Sequence, residues 1–247
     1  MTYCVGICLN EGLVLLSDTR TNAGLDNISR YRKMFTWSVP GERTVAMMTA
    51  GNLSVTQGIV TRIEKAIDRA AAGESVETIL NAESTFRAAQ LVGVLMRDMQ
   101  HLHRDPLMAQ GVSSDASVII GGQRRGGRPR LFLVYAAGNF IEATEDSTFL
   151  QIGEHKYGKP ILDRVIRRET TIADALKAAC VSMDSTIRSN LSVGMPLDLV
   201  VLRKDSFTFD IDRRIEVDDP EYMRISKGWA DALRGAFDTL PPLWQTA

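Results

Sequence analysis

Aromatic residues are scarce, at 6% of 247, and cysteine and histidine number three each, which leaves little material for a disulfide scaffold or a metal centre. The cysteines form no CxxC pair, and His101, His103 and His155 form no HExxH, so neither metal nor cofactor chemistry is expected. Cys4 and Cys8 fall on one predicted strand, where four residues of rise separate them by about 13 Å, too far to bridge. A reducing, cytoplasmic setting fits such a chain. Charge of one sign is missing as well: 29 Lys plus Arg against 30 Asp plus Glu leave a formal net charge of -1, and no global field draws nucleic acid or an anionic membrane. Apolar runs such as 131–137 stop far short of the roughly 20 residues that span a bilayer, and no basic region precedes Asn10 and Glu11 to mark a secretory signal.

What the chain does have is 45% hydrophobic residues in ordered patterns, enough for a substantial core. Tyr3, Val5, Ile7 and Leu9 alternate with Cys4, Gly6 and Cys8, the period-two pattern of a strand with one bulky and one small face. A second apolar run at 13–16 completes a hairpin, and strands are expected at 34–39 and 44–49, so the first fifty residues read as one sheet. Two amphipathic helices follow, around 59–70 and 91–102. Strands at 117–121, 131–135, 140–143 and 149–152 read as a second sheet. Helices at 158–167 and 172–187, strands at 197–202 and 207–211, and a last helix from Pro220 complete the chain. Segregated blocks argue for an α+β fold, two antiparallel sheets stacked between helix layers. With no linker and no repeat, residues 1–247 read as a single domain, with a C-terminal helix and tail appended at 219–247.

Thr2 follows the initiator Met directly, and its small side chain permits removal of Met1. That would expose a threonine carrying both a hydroxyl and a free α-amine, a nucleophile with its own base. An α-amine has a pKa near 8, so about a tenth to a half is neutral at physiological pH. Many proteins begin Met-Thr, and an ordinary terminus is the plainer explanation until its context is considered.

The context is a series: the opening hairpin, Asp18-Thr19-Arg20-Thr21-Asn22-Ala23-Gly24, Lys33 within Arg30-Tyr-Arg-Lys-Met-Phe, and Ala50-Gly51 after a strand. It resembles the active-site series of proteasome-type β-subunits: an N-terminal Thr, a D-[ST]-R-x-x-x-G loop, a Lys leading the next strand, and an Ala-Gly that supplies an oxyanion hole. Similarity continues through Gly121-Gly122, Phe149-Leu-Gln-Ile-Gly153 and Ser189-Asn-Leu-Ser-Val-Gly194. Within that family the MTYCVGI start, the SDTRTNAG loop, IGEHKYGKPILDR and SNLSVG look most like Anbu, the bacterial ancestral-β-subunit-like group.

The resemblance implies the N-terminal nucleophile hydrolase fold, a four-layer αββα sandwich, and a threonine peptidase or amidase that acts through an acyl-enzyme on Thr2. It implies that Lys33 lowers the pKa of the nearby amine and hydroxyl, that Asp18 holds Lys33, and that the Gly51 N–H stabilises the oxyanion, an effect generally worth about 3 kcal/mol. It places Thr21 and Asn22, with Gly51, beside an extended substrate, and Arg20, Glu154, Ser189 and Ser192 around the nucleophile, Ser192 matching a catalytic serine. Homo-oligomeric rings or open rings are implied, with an ATP-dependent unfoldase of unknown identity as a partner. The match departs from the family in two places: Gly153-Glu154 stands where Gly-Ser is usual, and Ser189 replaces an Asp three residues before Ser192.

The rival readings are a catalytically silent assembly protein, favoured if Met1 is retained, and a small-molecule linear amidase with a short closed pocket. Asp18 alone would be a turn residue and Lys33 alone a solvated one; their joint placement with Thr2 and Gly51 lifts the functional reading. Arg124, Arg125, Arg128 and Arg130 around Gly126-Gly127 read as a solvated hairpin, and Cys4 and Cys8 as packing groups. Tyr222, Ile225, Trp229, Leu233, Phe237 and Leu240 recur at three and four, an apolar stripe that packs on its own domain or on a neighbour, and the tail Leu240-Pro-Pro-Leu-Trp244 beyond it has a neighbouring subunit as its expected cover.

Overall fold

A computed structural model describes residues 2–22 and 28–244; Met1, Ala23 and Gly24 lie outside the described residues, as does the side chain of Asn22. The opening hairpin forms as expected from β1 (Tyr3–Cys8) and β2 (Gly12–Asp18). A short ribbon of β3 (Arg20–Asn22) and β4 (Ile28–Arg30) follows, then β5 (Met34–Val39) and β6 (Arg43–Gly51). Helices α1 (Leu53–Ala71) and α2 (Thr85–Ala109) separate these from β7 (Ala116–Arg124), β8 (Arg130–Val134), β9 (Phe140–Glu142) and β10 (Phe149–Gly153). The chain continues through α3 (Lys159–Val165), α4 (Ile172–Ser189), β11 (Leu197–Arg203), β12 (Ile211–Ile215) and α5 (Pro220–Asp238).

The strands assemble into two five-stranded antiparallel sheets, ordered β10-β1-β2-β11-β12 and β5-β6-β7-β8-β9. This corrects the expectation that consecutive strands share a sheet: β5 and β6 pair with β7, and β10 crosses to pair with β1. Period-two alternation reports which faces of a strand are buried and carries no information about its hydrogen-bonding edges. Because β1 is buried along its whole length, both its edges need partners, and β10 covers the one β2 leaves open. The last strand also lies further on than expected, at 211–215 and not 207–211, because Asp205 and Phe207 adopt positive φ in the preceding turn. As a partly exposed edge strand, β12 lacks a run of apolar residues to announce it.

Three apolar layers follow from the alternation. Tyr3, Val5 and Ile7 face α4, packing with Ala175, Ala179 and Met183. Their neighbours Cys4 and Cys8 face the other sheet, packing with Leu131, Leu133 and Ile119. Met47, Val118, Ile120 and Phe132 meet α1 and α2 through Ile59, Val92 and Met96. The result is a four-layer αββα sandwich. All three cysteines are free and buried. No helix among the described residues is long and apolar enough to cross a membrane.

The two sheets are also tied by polar groups at the end remote from Thr2. Buried Gln123 donates to Gly127 O at 2.8 Å and Asp205 Oδ1 at 2.6 Å, and its Oε1 accepts from the Asp205 N–H at 2.7 Å, joining the β7–β8 and β11–β12 turns. Gln123→Ala leaves the Asp205 N–H and carboxylate without these partners, so it should cost about 2 kcal/mol. In a thermal melt the expected shift is a Tm drop of roughly 4–8 °C.

Candidate active site

Asp18, the last residue of β2, is fully buried, and its Oδ1 meets Lys33 Nζ at 2.6 Å. Lys33, directly before β5, is itself 4% exposed; its ammonium also donates to Arg20 O at 2.6 Å, and its carbonyl accepts from the Thr49 N–H at 3.0 Å. Two backbone donors complete the carboxylate: Tyr3 N–H to Oδ1 at 3.1 Å and Gly194 N–H to Oδ2 at 3.4 Å. Burial pushes the Asp18 carboxyl above its ordinary value, opposed by the Lys33 ammonium and these two N–H groups. The ion pair is therefore attached through the Tyr3 backbone to the residue next to Thr2.

Thr2 is nearly buried, and its carbonyl accepts from the Glu154 N–H at 2.7 Å. Strand β10 brings this donor in close because residue 153 is glycine: Gly153 has φ +81°, and a Cβ there would stand 1.9 Å from Thr2 O. Among the described residues the Glu154 carboxylate has one buried oxygen, Oε2, with no hydrogen-bond partner, and the nearest cation is Lys156 Nζ at 3.5 Å.

Gly51 ends β6, is exposed, and has φ +101°. Asn52 follows as the N-cap of α1, its Oδ1 accepting from the Ser54 and Val55 N–H groups at 3.0 and 3.3 Å. The Gly51 amide thus lies at the positive end of a 19-residue helix, where developing negative charge is favoured.

Arg20 links β3 to the segment after α4: Nη1 donates to Leu191 O at 3.0 Å, and its guanidinium crowds Gly194. Thr19 Oγ1 donates to Pro196 O at 2.7 Å nearby. Thr21, partly exposed, pairs with Ser29 across the β3–β4 ribbon, and the backbone of Asn22 pairs with that of Ile28. Ser192 is partly exposed, takes the Asn190 Oδ1 acceptor on its N–H at 2.9 Å, and stands two residues from Gly194. Ser189 is the exposed last residue of α4, and no hydrogen bond joins it to Thr2, Asp18 or Lys33. Tyr3 and Gly194 were not singled out by the sequence reading, since they act through backbone N–H groups that side-chain identity does not reveal. Among the described residues, no group of three His, Cys, Asp or Glu side chains is placed to hold a metal ion.

The sequence model of a family described as "Proteasome subunit" matches residues 2–202. Similar solved structures include an Anbu (Gly-1) mutant from Hyphomicrobium sp. strain MC1, 45% identical, covering 99% of this chain and 100% of that one at a TM-score of 0.90. Anbu (ancestral beta-subunit) from Yersinia bercovieri is 43% identical over 99% of this chain and 100% of its own, with a TM-score of 0.90. The helical assembly of the Anbu complex from Pseudomonas aeruginosa is 42% identical over 98% of each chain, with a TM-score of 0.92. No curated protein sequence matches significantly.

Lys33→Ala removes the ammonium that holds the Asp18 carboxyl down and leaves burial unopposed except by two N–H groups. Asp18 should then bind a proton more tightly folded than unfolded, so the variant's stability is fully present below the unfolded carboxyl pKa and falls as pH rises through the folded one. Its Tm relative to the parent is expected to be closest below about pH 4 and lowest above neutrality, where an unpaired buried charge costs about 3–5 kcal/mol. A parallel pair of Tm–pH curves would refute the assignment of this pair as a buried, mutually dependent unit.

Proposed function

We propose, for a chain that belongs to the proteasome subunit family and is an Anbu homologue, that it is a cytoplasmic N-terminal threonine peptidase or amidase working as a homo-oligomer. The observation that carries this reading is the buried Asp18–Lys33 pair bonded to the Tyr3 N–H, one residue from Thr2.

Removal of Met1 frees the Thr2 α-amine. The amine takes the Oγ proton as Oγ attacks the substrate carbonyl carbon, forming a C–O bond and a tetrahedral oxyanion. Lys33, charged and held by Asp18 and Arg20 O, favours the alkoxide-like oxygen electrostatically, and the Gly51 N–H at the start of α1 receives the oxyanion. Collapse breaks the C–N bond, and the departing amine takes the proton from the Thr2 ammonium. Water, deprotonated by the same α-amine, then attacks the Thr2 ester and releases the acid with Oγ reprotonated. Thr21 and Asn22 lie on a short ribbon suited to strand-like pairing with an extended peptide, which favours a peptide over a small amide. Ser192, on the segment at 189–194, and Arg20, on β3 and bonded to that segment, would support the nucleophile.

A second reading, an assembly protein without turnover, draws on Glu154, whose backbone N–H donates to the Thr2 carbonyl and whose side chain is a carboxylate where the family usually has a small hydroxyl. Intact mass followed by a threonine-directed epoxyketone or β-lactone separates the two. One adduct per chain is expected on protein lacking Met1, and none on Thr2→Ala, whose assembly should be unchanged. A Thr2→Ala protein that is still labelled or active would overturn the nucleophile assignment.

The assembly has a proposed contact of its own. Helix α5 begins against α4, where Tyr222 is buried, and then leaves the body: Leu233, Phe237, Leu240, Leu243 and Trp244 are all exposed, Trp244 by 75%. Such a row is stable in water chiefly when another surface covers it. Deleting residues 241–247 is expected to shift the sedimenting particle toward smaller species; an unchanged particle would defeat this role.

A further inference from the structure

We infer that the Tyr3 hydroxyl is a positioning group for Thr2, fixing the nucleophile's height and rotation from the opposite side of the sheet. The inference rests on Thr2 as nucleophile and concerns what holds it in place. Tyr3 is fully buried, and its ring points away from the ion pair's backbone donor into the layer between β1 and α4. Val5 and Ile7 on the same face are anchored by apolar contact alone, which tolerates sliding. Tyr3 ends in a phenol oxygen held at two points: 2.6 Å from Ser182 Oγ on α4 and 2.6 Å from Gln151 Nε2 on β10. Gln151 can only donate here, so the phenol accepts from it and is free to donate its own proton to Ser182. Burial pushes the phenol pKa up to about 12, against the pull of these two bonds, so the group is neutral and keeps that proton.

Two further observations connect this oxygen to Thr2. Gln151 and Glu154 belong to one continuous stretch of chain: Gln151 holds the tip of Tyr3 while the Glu154 N–H holds the carbonyl of Thr2. The register of β1 against β10 is thereby pinned on both sides of the Thr2–Tyr3 peptide, and the Tyr3 N–H on that peptide is the donor to Asp18. The oxygen is also closed in by backbone. A Cβ at Gly158, directly before α3, would stand 2.1 Å from Ser182 Oγ and 2.7 Å from Tyr3 OH. Residue 158 is thus restricted to glycine by the same polar cluster, and β1, β10, α4 and the start of α3 converge on one atom. A nucleophile displaced by a fraction of an ångström loses rate without losing its chemistry, which is the effect such an anchor prevents.

The test uses the full-length protein with Met1 removed and compares Tyr3→Phe, Ser182→Ala and Gly158→Ala with the parent. Each disrupts the cluster from a different element and leaves Thr2, Asp18 and Lys33 in place. Concentration-dependent labelling by a β-lactone should show kinact lowered by about tenfold with KI within about twofold, and an unchanged pH midpoint of kinact because the α-amine is untouched. The double variant Tyr3→Phe/Ser182→Ala should be no slower than Tyr3→Phe alone, since the bond that Ser182→Ala removes is already missing in Tyr3→Phe. A lowered Tm with parental kinact in all three would make the cluster structural only and overturn the inference. Amide hydrogen exchange supplies an arm that needs no chemistry: the Tyr3 and Glu154 N–H groups should exchange at least about tenfold faster in Tyr3→Phe, and unchanged protection there also overturns it. Parent protein with a free Thr2 amine that takes no label would defeat the nucleophile reading instead, while the exchange arm still decides the anchor.

Discussion

Taking two opposite charges out of water costs several kcal/mol per ion, and the cost is offset only when each charge finds close partners with good geometry. Asp18 and Lys33 meet this condition by drawing on distant parts of the chain. The carboxylate gathers the ammonium of residue 33 and the N–H groups of residues 3 and 194; the ammonium adds the carbonyl of residue 20. Five segments therefore have to be in register before the pair is satisfied, and the hairpin, the β3–β4 ribbon, the start of β5 and the segment after α4 are held in common. Arg20 repeats this linkage at the surface by reaching Leu191 O.

The same economy explains the small face of β1. Cys4, Gly6 and Cys8 lie between the sheets, where a Cβ on Gly6 would already stand 3.0 Å from the Leu131 side chain, so the sheets approach closely at this strand. The bulky face can then carry Tyr3 toward α4. A strand whose two faces differ so sharply in volume tolerates no slip of one residue, because every side chain would change layers.

How much of this was legible in the sequence depends on where the information resides. Strand faces, helix faces and the αββα layering follow from apolar periodicity, and Asp18, Lys33 and Gly51 could be singled out as chemically apt side chains and backbone in a recognisable series. Strand partners were not legible: nothing in Phe149–Gly153 says that it leaves its neighbours to pair with Tyr3–Cys8. Nor was β12, because Ile211–Ile215 is an edge strand whose three central residues are exposed and polar. The Tyr3 and Gly194 contacts to Asp18 use backbone donors common to nearly every residue. Ser189, which stands where the family has an Asp, lies on the exposed end of α4.

Glu154 puts a carboxylate where the family usually has a small hydroxyl. Its backbone serves the site, donating to Thr2 O, while its side chain holds a buried oxygen without a hydrogen bond. A buried polar oxygen without a hydrogen bond costs free energy unless a donor arrives, and Lys156 at 3.5 Å on an exposed side chain is a weak one. A cation adjoining the Thr2 carbonyl would satisfy it, and the freshly exposed α-ammonium of a processed Thr2 is such a group by chemistry. Glu154 would then favour the charged amine and shift general-base activity of Thr2 to higher pH. On this argument the parent's labelling rate should rise across a more alkaline range than that of Glu154→Ser, in which a hydroxyl replaces the charge. Superimposable rate–pH profiles for the two proteins would show that the carboxylate does not act on the amine.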